Sequence, residues 1–183
     1  MDIVLNNLSL TLSKCQILKN VNINFLNGSI TGVLGENGSG KSSLLKCIAG
    51  LVTYSGTITF SAVNKSKLAY VPQQPAVPTG MTVAEFILLG RTAHYNWYRG
   101  ETPYDFDRCR QAIKDVSLSN YSSRYVDTLS GGEMQRAVLA RAIAQEANIL
   151  ILDEPTSALD IKGQIEIFSL LLQLQKKFGL TII

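Results

Sequence analysis

Residues 35–42, GENGSGKS, follow the short apolar run ITGVL and precede SLLKCIAG. A Gly-x-x-x-x-Gly-Lys-Ser pattern set between a predicted strand and a predicted helix constrains this chain more than any other feature. Gly35, Gly38 and Gly40 let the backbone wrap so that successive N–H groups converge on phosphate oxygens. Lys41 is placed to reach the β- and γ-phosphates of a nucleoside triphosphate. Ser42 is placed to offer a hydroxyl to Mg²⁺, a hard cation that prefers oxygen. Glu36, Asn37, Ser39 and Ser43 complete the stretch expected to touch the nucleotide.

The loop demands a strand that feeds a helix, and the rest of the chain supplies more of the same. Alternation marks strands at LSLTL and VNINF, and TITF and LAYV give two more. Helices are predicted from about Lys41 to Ala49, over TVAEFILLG, and over 104–116, 131–146 and 163–178. NILIL (148–152) reads as a buried strand, LTII as another, and SLSNYSSRYVDT as a polar loop. The pattern is α/β: a phosphate-loop core with a mostly parallel sheet and an N-terminal antiparallel β subdomain, plus an inserted helical subdomain. The core is expected at 1–75 and 131–183, with the helical insertion at about 76–130, all within one domain.

Two further stretches carry chemistry. ILILDEP puts Asp153 and Glu154 at the end of a buried strand, where an open α/β sheet binds its ligands. Asp153 is the candidate metal-holding acid, and Glu154 the candidate for polarising an attacking water. LSGGE (129–133) opens the helix MQRAVLARAIAQ with small residues but without a lysine. A helix N-terminus stabilises an anion by roughly 0.3–1 kcal/mol, up to about 2 when partly buried, whereas micromolar binding needs about 8 kcal/mol. LSGGE therefore makes sense as half of a site whose other half lies elsewhere. Two copies packed head to tail would set Ser130, Gly131 and Gly132 of one over the γ-phosphate held by Lys41 of the other. Ser130 and Glu133 also have the spacing of a helix capping box.

GENGSGKS, LSGGEMQR and ILILDEP, in this order along the whole chain, resemble the ATP-binding-cassette (ABC) ATPases. The resemblance implies ATP and Mg²⁺ as cofactors. It implies that Gln73, in YVPQ, contacts Mg²⁺ and the attacking water, so that Ser42, Gln73 and Asp153 form the metal set. Glu154 and Gln73 are then the catalytic pair, and Asp160, in SALD, lies at a dimer interface. MTVAEFILLGRTAH, the aromatic stretch YNWY and VDTLSGGE are similar to importer ATPases for iron–siderophore, haem and vitamin B12, with manganese and zinc importers close behind. By that resemblance, residues 76–100, including Arg91 and Arg99, meet an integral-membrane permease. A substrate-binding protein takes part indirectly, and the subunit sits on the cytoplasmic face of the cell membrane.

Two positions depart from the family pattern. The family stacks an aromatic ring on adenine where this chain has Leu12. Its switch histidine follows the strand that LTII resembles, and the sole histidine here is His94. The chain is therefore expected to be incomplete at its C-terminus and weak in hydrolysis on its own. A soluble ABC ATPase and a non-hydrolysing ATP-binding scaffold are the alternatives. A net charge of +3 gives no footprint for nucleic acid. Cys15, Cys47 and Cys109 have no metal-site spacing. No apolar stretch approaches the roughly 20 residues of a membrane span.

Overall fold

The computed structural model describes residues 2–60, 68–94 and 100–183. They fall into two compact units. The first comprises Met1–Tyr70, Asn148–Asp153 and Gln175–Ile183; the second comprises Val71–Ala147 and Glu154–Leu174.

The first unit opens with a hairpin, β1 (Ile3–Leu12) and β2 (Cys15–Phe25). Its turn residues Ser13 and Lys14 both have positive φ, 48° and 68°, as two-residue turns between right-twisted strands require. β3 (Ser55–Phe60) pairs with the other edge of β1, giving an antiparallel sheet in the order β2-β1-β3. Ile3 and Leu5 point into the core, and so do Leu8 and Leu10. The parity changes at Asn7, where φ is 50° and the register slips. This bulge explains why alternation predicts a strand only from Leu8 onward. Gly56 lies against it: a Cβ there would sit 2.4 Å from the Asn7 carbonyl oxygen.

A second sheet holds β4 (Leu68–Val71), β5 (Ile149–Leu152) and β6 (Thr181–Ile182) in the order β4-β5-β6. β5 and β6 are parallel, with Ile149 opposite Thr181 and Leu150 opposite Ile182. The strand expected at ITGVL reduces to one parallel bridge between Ile30 and Ile182. Thr31 N–H donates to the Ile182 carbonyl at 2.8 Å, and Ile182 N–H donates to Ser29. Leu34, at the end of that run, is 94% exposed. Helix α1 (Lys41–Ala49) buries Leu44, Leu45, Cys47 and Ile48 in the same core as Leu5, Phe25, Ile149 and Ile151.

The second unit is helical. It contains α2 (Val83–Leu88), a 3₁₀ segment (Leu89–His94), α3 (Pro103–Asp115), α4 (Gly131–Ala144) and most of α5 (Ile161–Phe178). The polar stretch before α4 makes two 3₁₀ turns, Ser119–Tyr121 and Val126–Thr128. A Cβ on Gly90 would lie 2.2 Å from the Arg141 carbonyl oxygen, so only glycine lets the 3₁₀ segment approach α4 this closely.

Arg91 lies beside that contact and is 2% exposed. Its Nε donates to Asp105 Oδ1 at 2.8 Å; its Nη1 donates to the Ala144 carbonyl at 2.7 Å and to Glu146 Oε2 at 2.8 Å. Tyr104 Oη donates to the other Glu146 oxygen at 2.8 Å. Sequence reasoning put Arg91 on a partner-facing surface, and the structure corrects this. The side chain is spent tying the 3₁₀ segment to α3 and to the end of α4. Arg91→Met should lower stability by about 3–5 kcal/mol in denaturant titrations, because it leaves the buried Asp105 carboxylate without its counter-charge.

Burial raises the Asp105 carboxyl, but hydrogen bonds from Thr102 and from the Arg91 guanidinium outweigh it and hold the group at about 2. An unfolded aspartate titrates near pH ~3.9. The stability this carboxylate supplies is therefore complete above that pH and is lost as pH falls through about 2. Acid titration of Asp105→Asn should show a shallower loss of stability between these limits than the parent chain.

Candidate functional site

The N-terminus of α1 differs from those of the other helices that begin beside it in sequence. Thr82 and Glu85 cap α2, Thr102 and Asp105 cap α3, and Ser130 and Glu133 cap α4, each as a reciprocal capping box. α1 begins after Gly40, which has φ 95° and supplies no side-chain cap, and its first turn has no acidic residue. Its first-turn N–H groups therefore lack the acceptor that the other helices carry within the chain. A Cβ on Gly40 would press on Leu18 and Ile17 at 3.1 and 3.3 Å. Lys41 folds back over the loop, its Nζ donating to the Gly35 and Glu36 carbonyls at 2.8 and 2.9 Å. Among the described residues no carboxylate pairs with it. Uncapped amides and an uncompensated ammonium in one loop form a receptor for an anion.

Ser42 follows in the first turn. Its Oγ donates to Asp153 Oδ1 at 2.8 Å, joining the loop to the end of β5. Asp153 is buried, with 5% exposure. Its other oxygen, Oδ2, accepts from Tyr70 Oη at 3.0 Å. Burial, together with that hydrogen bond, pushes the Tyr70 phenol up to about 12, so it stays a donor at neutral pH. A hydroxyl and a carboxylate oxygen this close are hard donors that fit Mg²⁺, which takes few protein ligands and keeps its waters and substrate phosphates. Sequence reasoning missed Tyr70. Its partner is 83 residues away in the chain, and only the pairing of β4 with β5 brings them together.

In the second unit, Gln73 Nε2 donates to Glu154 Oε2 at 2.6 Å. Glu154 has φ 49°, a left-handed conformation that costs a non-glycine residue about 1 kcal/mol or more. The turn after it is held by Ser157, whose N–H and Oγ both donate to the Glu154 carbonyl at 3.2 and 3.1 Å. Asp160 accepts from Gly163 N–H at 2.8 Å, capping the start of α5.

Ser130 makes its box with Glu133: Ser130 N–H and Oγ donate to Glu133 Oε2 at 2.8 and 2.9 Å. Those bonds hold the Glu133 carboxyl below its ordinary value. A Cβ on Gly131 would touch Leu159 at 3.4 Å, but one on Gly132 would meet nothing within 4 Å. The fold of this chain therefore does not itself require glycine at 132.

Leu12, at the end of β1 opposite Cys15, is 43% exposed. His94 engages the Gln145 carbonyl through Nε2 at 2.9 Å. Of the expected partner surface, residues 95–99 lie outside the described residues. Ala76, Val77, Leu89 and Thr92 are exposed. No helix among the described residues is long and apolar enough to cross a membrane.

Comparison with known proteins agrees with this arrangement. The ABC transporter family model matches residues 18–157. The manganese transport system ATP-binding protein MntB of Halalkalibacterium halodurans is 36% identical over 183 residues, which cover 97% of this chain and 73% of MntB. A transporter assigned to the metal-chelate type, solved in an inward-facing conformation, superposes with a TM-score of 0.90 at 32% identity, over 99% of this chain and 71% of the other. A bacterial ABC transporter cassette solved as a dimer superposes with a TM-score of 0.81 at 28% identity, over 98% and 85%. The chain spans 66–73% of the length of three curated relatives that it matches. With its phosphate loop, its strand-end acids and its LSGGE helix in the family's order, this chain belongs to the ATP-binding cassettes of ABC transporters.

Proposed function

We propose that the chain is the ATP-binding and ATP-hydrolysing subunit of a membrane importer for metal chelates or metal ions. The observation that carries the nucleotide half of this reading is the uncapped start of α1, with Lys41 unpaired with any carboxylate among the described residues and Ser42 joined to Asp153. The loop amides of Gly35–Ser43 receive the phosphates, and Lys41 exchanges its two carbonyl acceptors for β- and γ-phosphate oxygens. Ser42, Asp153 and Gln73 would hold Mg²⁺, which neutralises phosphate charge in the bound nucleotide. Glu154, paired with Gln73, orients the attacking water and accepts its proton.

The second half of the site comes from a second copy. Gly131 and Gly132 open a helix in which glycine costs roughly 0.5–1 kcal/mol relative to alanine. At Gly132 the chain's own packing does not demand that cost. Close approach of another molecule would explain it, and the phosphates of a nucleotide held by Lys41 of a second cassette fit the amides and hydroxyl of Ser130–Gly132. The dimeric cassette to which this chain is similar supports the pairing. ATP drives such a dimer because it binds the closed state more tightly than the open one. The importer class and its metal cargo rest on the relatives named above, with a permease meeting the exposed residues between 76 and 100 and a substrate-binding protein acting outside the membrane.

Lys41→Ala should weaken ATP binding by at least about a hundredfold in equilibrium titrations, since it removes the one cation in the loop. Unchanged affinity would refute its role. In the natural full-length protein, Glu154→Gln should bind ATP, turn it over slowly and accumulate as a dimer by light scattering. A monomer at saturating ATP would sink the two-copy site. Mixing Lys41→Ala chains with Gly132→Asp chains should restore part of the ATPase activity that each lacks alone, because one composite site in the mixed dimer is intact. No recovery on mixing would place Gly132 outside the partner's site.

A further inference from the structure

Among the described residues, Tyr70 makes one of the two side-chain hydrogen bonds to the Asp153 carboxylate. Ser42 Oγ donates to Oδ1 at 2.8 Å and Tyr70 Oη donates to Oδ2 at 3.0 Å. Asp153 is buried, so its carboxylate is oriented by these two groups. Tyr70 and Asp153 stand on adjacent strands, β4 and the end of β5, so the phenol is anchored by the sheet.

This arrangement has a consequence for cation choice. Ca²⁺ takes 6–8 oxygens and readily uses both oxygens of one carboxylate, whereas Mg²⁺ demands near-octahedral geometry and takes one oxygen from each. We propose that Tyr70 is a positioning residue that sets metal preference: its bond to Oδ2 holds the Asp153 carboxylate with Oδ1 turned to Ser42, which disfavours the two-oxygen binding that Ca²⁺ uses and so favours Mg²⁺ over Ca²⁺. The proposal rests on the nucleotide-binding reading.

The test is Tyr70→Phe, which removes one hydroxyl and keeps the ring that packs in the sheet. Binding of a fluorescent non-hydrolysable ATP analogue is titrated with Mg²⁺, with Ca²⁺, and in chelator without either metal. The hydroxyl bonds a charged group, so its loss should move the ratio of half-saturating Ca²⁺ to Mg²⁺ about tenfold toward Ca²⁺. Metal-free binding, which depends on the loop amides and Lys41, should stay within about twofold of the parent. A ratio within about twofold of the parent would overturn the proposal. Equal losses in all three titrations would also overturn it, showing that Tyr70 only supports the fold. If the parent chain bound no nucleotide under any of the three conditions, the nucleotide-binding reading would fail, and the proposal with it. A parent that binds with an unmoved ratio in the variant would leave that reading intact and remove Tyr70 alone.

Discussion

The uncapped N-terminus of α1 is the constraint around which the first unit is organised. An unpaired amide set aside from water is costly, and α2, α3 and α4 avoid the cost with Thr or Ser and a carboxylate three residues on, α5 with Asp160. At α1 a carboxylate in the first turn would repel the ligand that the amides need. The chain instead places glycine at the cap and keeps its acid on another strand. Asp153 approaches from β5 and meets the serine of the turn rather than its amides. The packing of Ile17 and Leu18 against Gly40 then holds the loop's entry into the helix. Sequence, local conformation and sheet order all serve one end: a positive helix terminus kept open.

Other local rules are broken in the second unit, in the same functional neighbourhood of the sequence. Glu154 adopts a left-handed conformation that glutamate disfavours, and its side chain meets Gln73. Gly132 opens a helix without a packing reason. Residues that violate local preference without an internal compensation are where function is to be sought. The Arg91 network shows the contrasting case. Arg91 is buried, and through Nε and Nη1 it ties the 3₁₀ segment to α3 and to the end of α4. These bonds turn the Arg91 guanidinium inward, toward the rest of the helical unit.

The parts legible in the sequence are those whose signal is local. The phosphate loop is a contiguous pattern, and so are LSGGE with its capping box and the apolar strand that ends in Asp153 and Glu154. The helices over 41–49 and 104–116 follow from periodicity and caps. What stayed hidden depends on contacts between distant residues. The Asn7 bulge breaks alternation and conceals the first half of β1. ITGVL has a strand's composition, but its one bridge is to Ile182, about 150 residues on in the chain. Arg91 looks like a surface charge until α3 and the end of α4 close over it. Tyr70 is one more strand aromatic until β4 is placed beside β5. In each case the decisive neighbour is far away in the chain, beyond what spacing can encode.

Amide hydrogen exchange with and without Mg-ATP tests most directly whether the start of α1 is left open for a phosphate. ATP should slow exchange at residues 35–43 by at least about tenfold, since bound phosphates would become the acceptors those amides lack. The capped first turns of α2 and α3 should be unchanged. Protection absent from residues 35–43, or spread equally over all the helix starts, would contradict the account.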